Sequence, residues 1–224
     1  MCGRFTIIDP LEAIMERYMA SIAEGFEYTP NYNAAPIQYI PTIIAGKDGK
    51  NKLGALRWGL VPSWAKDDKI GNKMINARAE TLAEKPAFKR LISSKRCIIP
   101  TNGFYEWKKE ESGKRPMRIL MKDERLFSLA GLYDTWTDLD GNKLSTCTII
   151  TTEPNSLMED IHNRMPVILH PDDEAEWLGR DNKNVQSLLR LLQPYQASEM
   201  RVYEVSKEVG NVRNNNEVLI KEVG

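Results

Sequence analysis

The stretch Lys95-Arg96-Cys97-Ile98-Ile99-Pro100-Thr101-Asn102-Gly103-Phe104-Tyr105-Glu106-Trp107 sets the fold class. Two short runs rich in β-branched and aromatic residues, Cys97 to Ile99 and Gly103 to Trp107, stand on either side of turn-forming residues. The same texture continues in both directions, with Ile37 to Ala45 and Lys52 to Leu60 upstream and Met117 to Met121, Leu126 to Tyr133, Thr146 to Thr151 and Val167 to Leu169 downstream. Gly, Pro, Asn or charged residues punctuate every gap. Helical pieces are expected at residues 80 to 92, 154 to 161, 171 to 179 and 184 to 192, too few and too irregularly placed for a βαβ alternation. Near the start, Asp9-Pro10 followed by Leu11, Ile14, Met15, Tyr18 and Ile22 predicts an amphipathic helix over residues 10 to 24, ended by Gly25. The expected architecture is α+β, with a curved, barrel-like, mostly antiparallel sheet and peripheral helices.

The chain has 224 residues, no internal repeat and no long linker, so one domain covering residues 1 to 224 is expected. The longest polar stretch, Lys108 to Arg115, is of hairpin-loop length. No run of 18 apolar residues and no signal-peptide pattern is present, which predicts no membrane partner and a cytoplasmic address. The simplest oligomeric expectation is a monomer. Three widely spaced cysteines, no CxxC pair and only two histidines argue against a metal site, and no cofactor is implied. Cys97 and Cys147 lie in apolar runs and read as small buried hydrophobes.

The formal net charge is zero, which argues against a protein that coats duplex DNA by bulk attraction. The charge is unevenly placed. From Arg57 to Lys109 there are twelve Lys or Arg against five Asp or Glu, whereas Glu153 to Lys183 holds three against eight. The basic stretch permits a local anion-binding groove.

Five features carry possible chemistry. Removal of Met1 ahead of the small residue Cys2 would expose an amine and a thiol on adjacent carbons. An α-amine titrates near 7.7 to 8.0, so roughly a tenth of it is a free nucleophile at neutral pH, against less than about a thousandth of an ε-amine. Such an amine condenses with an aldehyde, and the neighbouring thiol then closes a thiazolidine ring. His162, at the entry to a strand, titrates in the range suited to general acid or base work. Glu106 sits amid aromatic residues, surroundings that raise a carboxyl pKa. Asn76 and Arg78, two apart, share one face of a strand and offer an amide and a guanidinium to one ligand. Arg57, Trp58 and Trp64 form the mixture of cation and aromatic that single-stranded nucleic acid sites use. Each has a plain alternative: Cys2 in a loose tail, His162 and Glu106 facing water, Trp58 in the core.

Taken in order, Met1-Cys2-Gly3-Arg4-Phe5, Tyr32-Asn33-Ala34-Ala35-Pro36, Arg57-Trp58-Gly59-Leu60-Val61-Pro62, Ile75-Asn76-Ala77-Arg78-Ala79-Glu80-Thr81, Gly103-Phe104-Tyr105-Glu106-Trp107, Ile161-His162-Asn163-Arg164-Met165-Pro166 and Val209-Gly210-Asn211-Val212 resemble the SOS response-associated peptidase family. The resemblance implies a sensor of abasic sites in single-stranded DNA that shields them as a covalent DNA-protein crosslink. It implies that Cys2 supplies amine and thiol, Asn76 holds the Cys2 end group, and Glu106 shuttles protons. It also implies that His162 assists sugar ring opening, lyase chemistry and crosslink reversal. By the same resemblance Arg4 and Arg78 grip phosphates, Trp64 stacks beside the lesion, and Met1 is removed by the chain itself. The competing expectation is an N-terminal nucleophile amidohydrolase, which also begins Cys-Gly after processing and uses the terminal amine as base. That reading leaves Glu106, His162 and the Arg-Trp segment without work.

Overall fold

The computed structural model describes residues 2–224. In chain order the strands and helices are β1 (Phe5–Ile7), α1 (Leu11–Tyr18), β2 (Ala20–Ile22), β3 (Asn31–Ala34), β4 (Tyr39–Ala45), β5 (Asn51–Trp58), β6 (Asn76–Arg78), α2 (Pro86–Lys89) and β7 (Arg96–Thr101). They continue with β8 (Gly103–Glu110), β9 (Gly113–Met121), β10 (Phe127–Thr137), β11 (Lys143–Thr152), β12 (Met165–Pro166), β13 (Ile168–Leu169), α3 (Glu174–Leu178), α4 (Val185–Arg190) and β14 (Met200–Glu204). Short 3₁₀ turns fill several of the gaps.

Strands β11, β10, β7, β4 and β5 follow one another by antiparallel pairing. The ring then closes by a parallel contact of β5 with β11, Arg57 opposite Thr146 and Trp58 opposite Cys147. A closed ring leaves no edge within it. Its interior is tight: a Cβ on Gly131 would lie 2.5 Å from Ile99 Cδ1 and 2.9 Å from both Cys97 Sγ and the Thr148 carbonyl oxygen. Cys97 and Cys147 are buried there as small hydrophobes, as expected. The fold is thus β-rich α+β with few peripheral helices.

A second sheet runs β14-β9-β8-β1-β3. One apolar core joins it to the barrel, with the Phe5 ring 5.3 Å from that of Trp58, centroid to centroid. On its other side a smaller cluster of Tyr105, Leu120, Tyr203, Val205, Val209 and Leu219 holds the end of the chain. Among the described residues no helix is long and apolar enough to cross a membrane.

Four local expectations need correction. The first helix stops at Tyr18, not at Gly25. Met19 takes a left-handed conformation at φ 45° with its N–H on the Glu16 and Met15 carbonyls, and Ala20–Ile22 then joins the edge of β5. The unpaired strand edge wins over helical spacing. Asp9 does not cap that helix; its carboxylate accepts from Asn102 Nδ2 at 2.9 Å. Residues 154 to 161 form turns rather than a helix, although Asn155 Oδ1 accepts from the backbone N–H groups of Leu157 and Met158 as a helix cap would. Residues 80 to 92 break into a 3₁₀ turn (Ala79–Thr81) and α2. Finally, Lys108 to Arg115 is mostly paired strand, Glu110 facing Gly113 across a tight hairpin.

Candidate functional site

Cys2 is the first described residue, and it is 0 % exposed. The register that places it is fixed by β1, which pairs Phe5 with Phe104 and Thr6 with Gly103 and leads on to a Tyr105 N–H bond to the Arg4 carbonyl at 2.9 Å. This antiparallel course carries the first residues alongside Glu106, itself 3 % exposed. The two are close enough to interact: burial pushes the Cys2 thiol far above its usual range, the Glu106 charge pushes it further, and the Arg4 backbone N–H partly offsets both. Met1, whose removal the sequence anticipates, lies outside the described residues.

Asn76 and Arg78 stand on β6, which runs parallel to β11 with Asn76 opposite Ile149 and Arg78 opposite Thr151. Trp58 connects this strand to the N-terminal segment: its ring packs on Phe5, and its indole N–H donates to the Ile75 carbonyl at 2.8 Å. Trp58 is wholly buried, so it belongs to the core and not to a base-stacking surface. The Asn76 side-chain oxygen and nitrogen are both buried, and neither has a hydrogen-bond partner among the described residues. Leaving such groups unpaired costs about 1–3 kcal/mol each.

His162 lies on the other flank of β11, in the turn leading to β12, where Met165 pairs with Thr152 and Pro166 with Thr151. Its Nδ1 lies 3.0 Å from the Arg164 backbone N–H and 3.3 Å from the Arg164 carbonyl oxygen, which holds the ring against the turn. Arg164 anchors the turn: its guanidinium is bidentate to Glu80 at 2.7 and 2.9 Å and donates to the Thr151 carbonyl at 2.7 Å. Sequence reasoning gave Arg164 and Glu80 no role of their own, though both sit inside segments that it singled out. Thus Asn76, Arg78 and His162 gather around one end of β11, while Cys2 and Glu106 meet at β1 and β8.

The remaining predicted residues are dispersed. Arg78 is exposed. Arg57 is largely covered and bound to Asp68 Oδ2 at 2.8 Å. Arg4 donates to Asn33 Oδ1 and to the Val209 carbonyl, each at 2.8 Å. Trp64 is 62 % exposed and borders a recess of about 450 Å³ with Glu84, Pro86 and the two cations Lys89 and Arg90, which the sequence does not attach to it. A wider recess of about 740 Å³, lined by Arg17, Asp48, Glu174 and Arg180 among others, contains none of the predicted residues. Among the described residues no three His, Cys, Asp or Glu side chains come together as a metal site.

A family model described as SOS response associated peptidase (SRAP) matches residues 1–212. Abasic site processing protein YoqW of Bacillus subtilis (strain 168) is 55% identical over 225 residues, with 99% of each chain covered. Abasic site processing protein YoaM of the same organism is 54% identical, covering 98% of this chain and 97% of its own. A crystal structure of a protein from Bacteroides thetaiotaomicron is similar at a TM-score of 0.88 and 29% identity, over 99% of this chain and 100% of that one.

Proposed function

The chain belongs to the SOS response-associated peptidase family, and from that premise we propose that it processes abasic sites in single-stranded DNA through covalent capture by Cys2. One observation carries the reading: the residue that follows Met1 is wholly buried against the buried carboxylate of Glu106, where a loose tail would leave it exposed. Hydrolysis of the Met1–Cys2 bond frees the α-amine. Either Cys2 attacks the Met1 carbonyl and the resulting thioester takes up water, or an aminopeptidase does the same work.

The freed amine attacks the aldehyde carbon of the ring-opened sugar and gives a carbinolamine. The Glu106 carboxylate takes the proton that nitrogen gives up and delivers it to the departing hydroxyl, water leaves, and a Schiff base remains. The Cys2 thiol then adds to the imine carbon: a C–S bond forms and the thiol proton ends on nitrogen. The product is a thiazolidine, one water lighter than its reactants. Asn76 fits the role of holding the end group, because its amide is buried and has donor and acceptor capacity to spare. His162, held against the Arg164 backbone at the entry to β12, fits the role of proton donor in sugar opening and strand cleavage. Arg78, Arg4 and Arg57 with exposed Trp64 are the groups assigned to the flanking strand. A chain of zero net charge binds through a few such contacts, with lesion specificity arising from the aldehyde itself.

The test is intact mass of the purified chain, alone and after mixing with a single-stranded oligonucleotide bearing one abasic site. The expected result is loss of Met1 and a heat-stable adduct, absent with undamaged DNA and absent in Cys2→Ala. A processed chain that forms no adduct overturns the reading and moves attention to glutamine hydrolysis, the amidohydrolase alternative.

A further inference from the structure

Asn33 joins the N-terminal strand to the last turns of the chain. Its side chain is 1 % exposed and uses both ends of the amide. Oδ1 accepts from Arg4 Nη1 at 2.8 Å, and Nδ2 donates to the carbonyls of Val209, Asn211 and Asn214 at 3.2, 3.1 and 3.0 Å. Arg4 Nη1 also reaches the Val209 carbonyl at 2.8 Å, and the guanidinium lies 5.9 Å from the centre of the Trp107 ring. Every oxygen bonded to Arg4 among the described residues is therefore a neutral amide or carbonyl. Its charge is oriented but not cancelled, two residues from Cys2.

The terminal segment does not need Arg4 to stay in place. Tyr105 donates to the Tyr32 and Leu219 carbonyls, Tyr203 to that of Ile220, and the Tyr32 N–H bonds Asn215 Oδ1. Val209 and Leu219 are buried in the small apolar cluster beside them. Nor would another side chain serve at position 33. An aspartate would set an oxygen against three carbonyls and neutralise the arginine; an alanine would leave the guanidinium and those carbonyls unsupported.

We infer that Asn33 is a positioning residue, which with the Val209–Asn214 carbonyls aims an uncompensated Arg4 charge at a phosphate of the captured strand. The inference rests on the function proposed above. Its test is binding of a labelled, undamaged oligo(dT) across a salt series by the wild type, Asn33→Asp, Arg4→Ala and the double variant. One phosphate contact to a single strand contributes about 0.7 to the slope of log K against log salt. Asn33→Asp is expected to lose that amount and to weaken binding on the order of tenfold at low salt. In the Arg4→Ala background it should change nothing further. A wild-type slope in Asn33→Asp, or losses that add in the double variant, overturns the inference.

If Asn33→Asp does not fold, Arg4→Gln serves, since it keeps N–H donors and removes the charge. It should lose the same slope while hydrogen exchange over residues 207–220 stays at the wild-type rate; an unchanged slope overturns the inference. Failure of the wild type itself to bind oligo(dT) or to form the Cys2 adduct defeats the underlying function. A wild type that binds and crosslinks beside an unaltered Asn33→Asp defeats only the role of Asn33.

Discussion

Asn76 keeps a buried amide with neither end satisfied among the described residues, a cost that packing alone does not explain. Removing both polar ends at once with a side chain of similar shape is nearly neutral or stabilising when a group serves chemistry rather than the fold. Asn76→Leu is therefore expected to melt at or above the wild-type temperature and yet form the abasic-site adduct at least about tenfold more slowly, in line with one lost hydrogen bond to a charged group. A melting temperature lowered by several degrees with an unchanged adduct rate would make Asn76 a structural residue. At this scale Cys2, Asn76, Glu106 and His162 stand out in the sequence as candidates, because amine, thiol, amide, carboxyl and imidazole declare their chemistry by type, while their joint roles come from the family resemblance. Asn33 was not: its strap partners lie 176 to 181 residues away, and only the folded chain brings them together.

The turn from His162 to Met165 owes its position to the pair between Arg164 and Glu80, which ties it to the 3₁₀ turn after β6. The Arg164 guanidinium, bidentate and well covered, holds the Glu80 carboxyl below its ordinary range. A depressed carboxylate stabilises the fold above its unfolded pKa, near 4.3, and that contribution disappears as pH falls through the lower folded value. Glu80→Gln should thus cost under about 1 kcal/mol at pH 7, since Glu80 is partly solvated. The gap between the two melting curves should close as pH drops below about 4. Faster hydrogen exchange at residues 162–165 in Glu80→Gln at pH 7 would place the effect in this turn; a gap independent of pH would remove the ion pair from the account. Element positions were legible where burial sets the pattern, as in β7 and the first residues of β8. They failed where a strand edge intervened, as at Ala20–Ile22.

Across the whole molecule, alternating apolar runs pointed to a curved sheet, but nothing in them showed how it closes. Closure needs the parallel contact of residues 57–58 with 146–147, a pairing set by the tilt of intervening strands and not by any local pattern. Gly131 marks the cost of that closure. It sits on β10 opposite Cys97 on one side and Ile149 on the other, where an added methyl meets Ile99, Cys97 and the Thr148 backbone well inside contact distance. The Ile99 methyl can rotate away; the Thr148 carbonyl belongs to a paired strand and cannot. Gly131→Ala is accordingly expected to destabilise by about 1–3 kcal/mol through overpacking, a fall on the order of 5 °C in Tm for a chain of this size. Gly210→Ala, where a Cβ meets no atom within 4 Å, is the matched control and should stay within about 0.5 kcal/mol. Because β11 also carries β6 and β12, and with them Asn76, Arg78 and the His162 turn, a strained barrel should slow adduct formation as well. Equal melting temperatures for the two variants would mean that the ring yields at Gly131 and that the site does not depend on its closure.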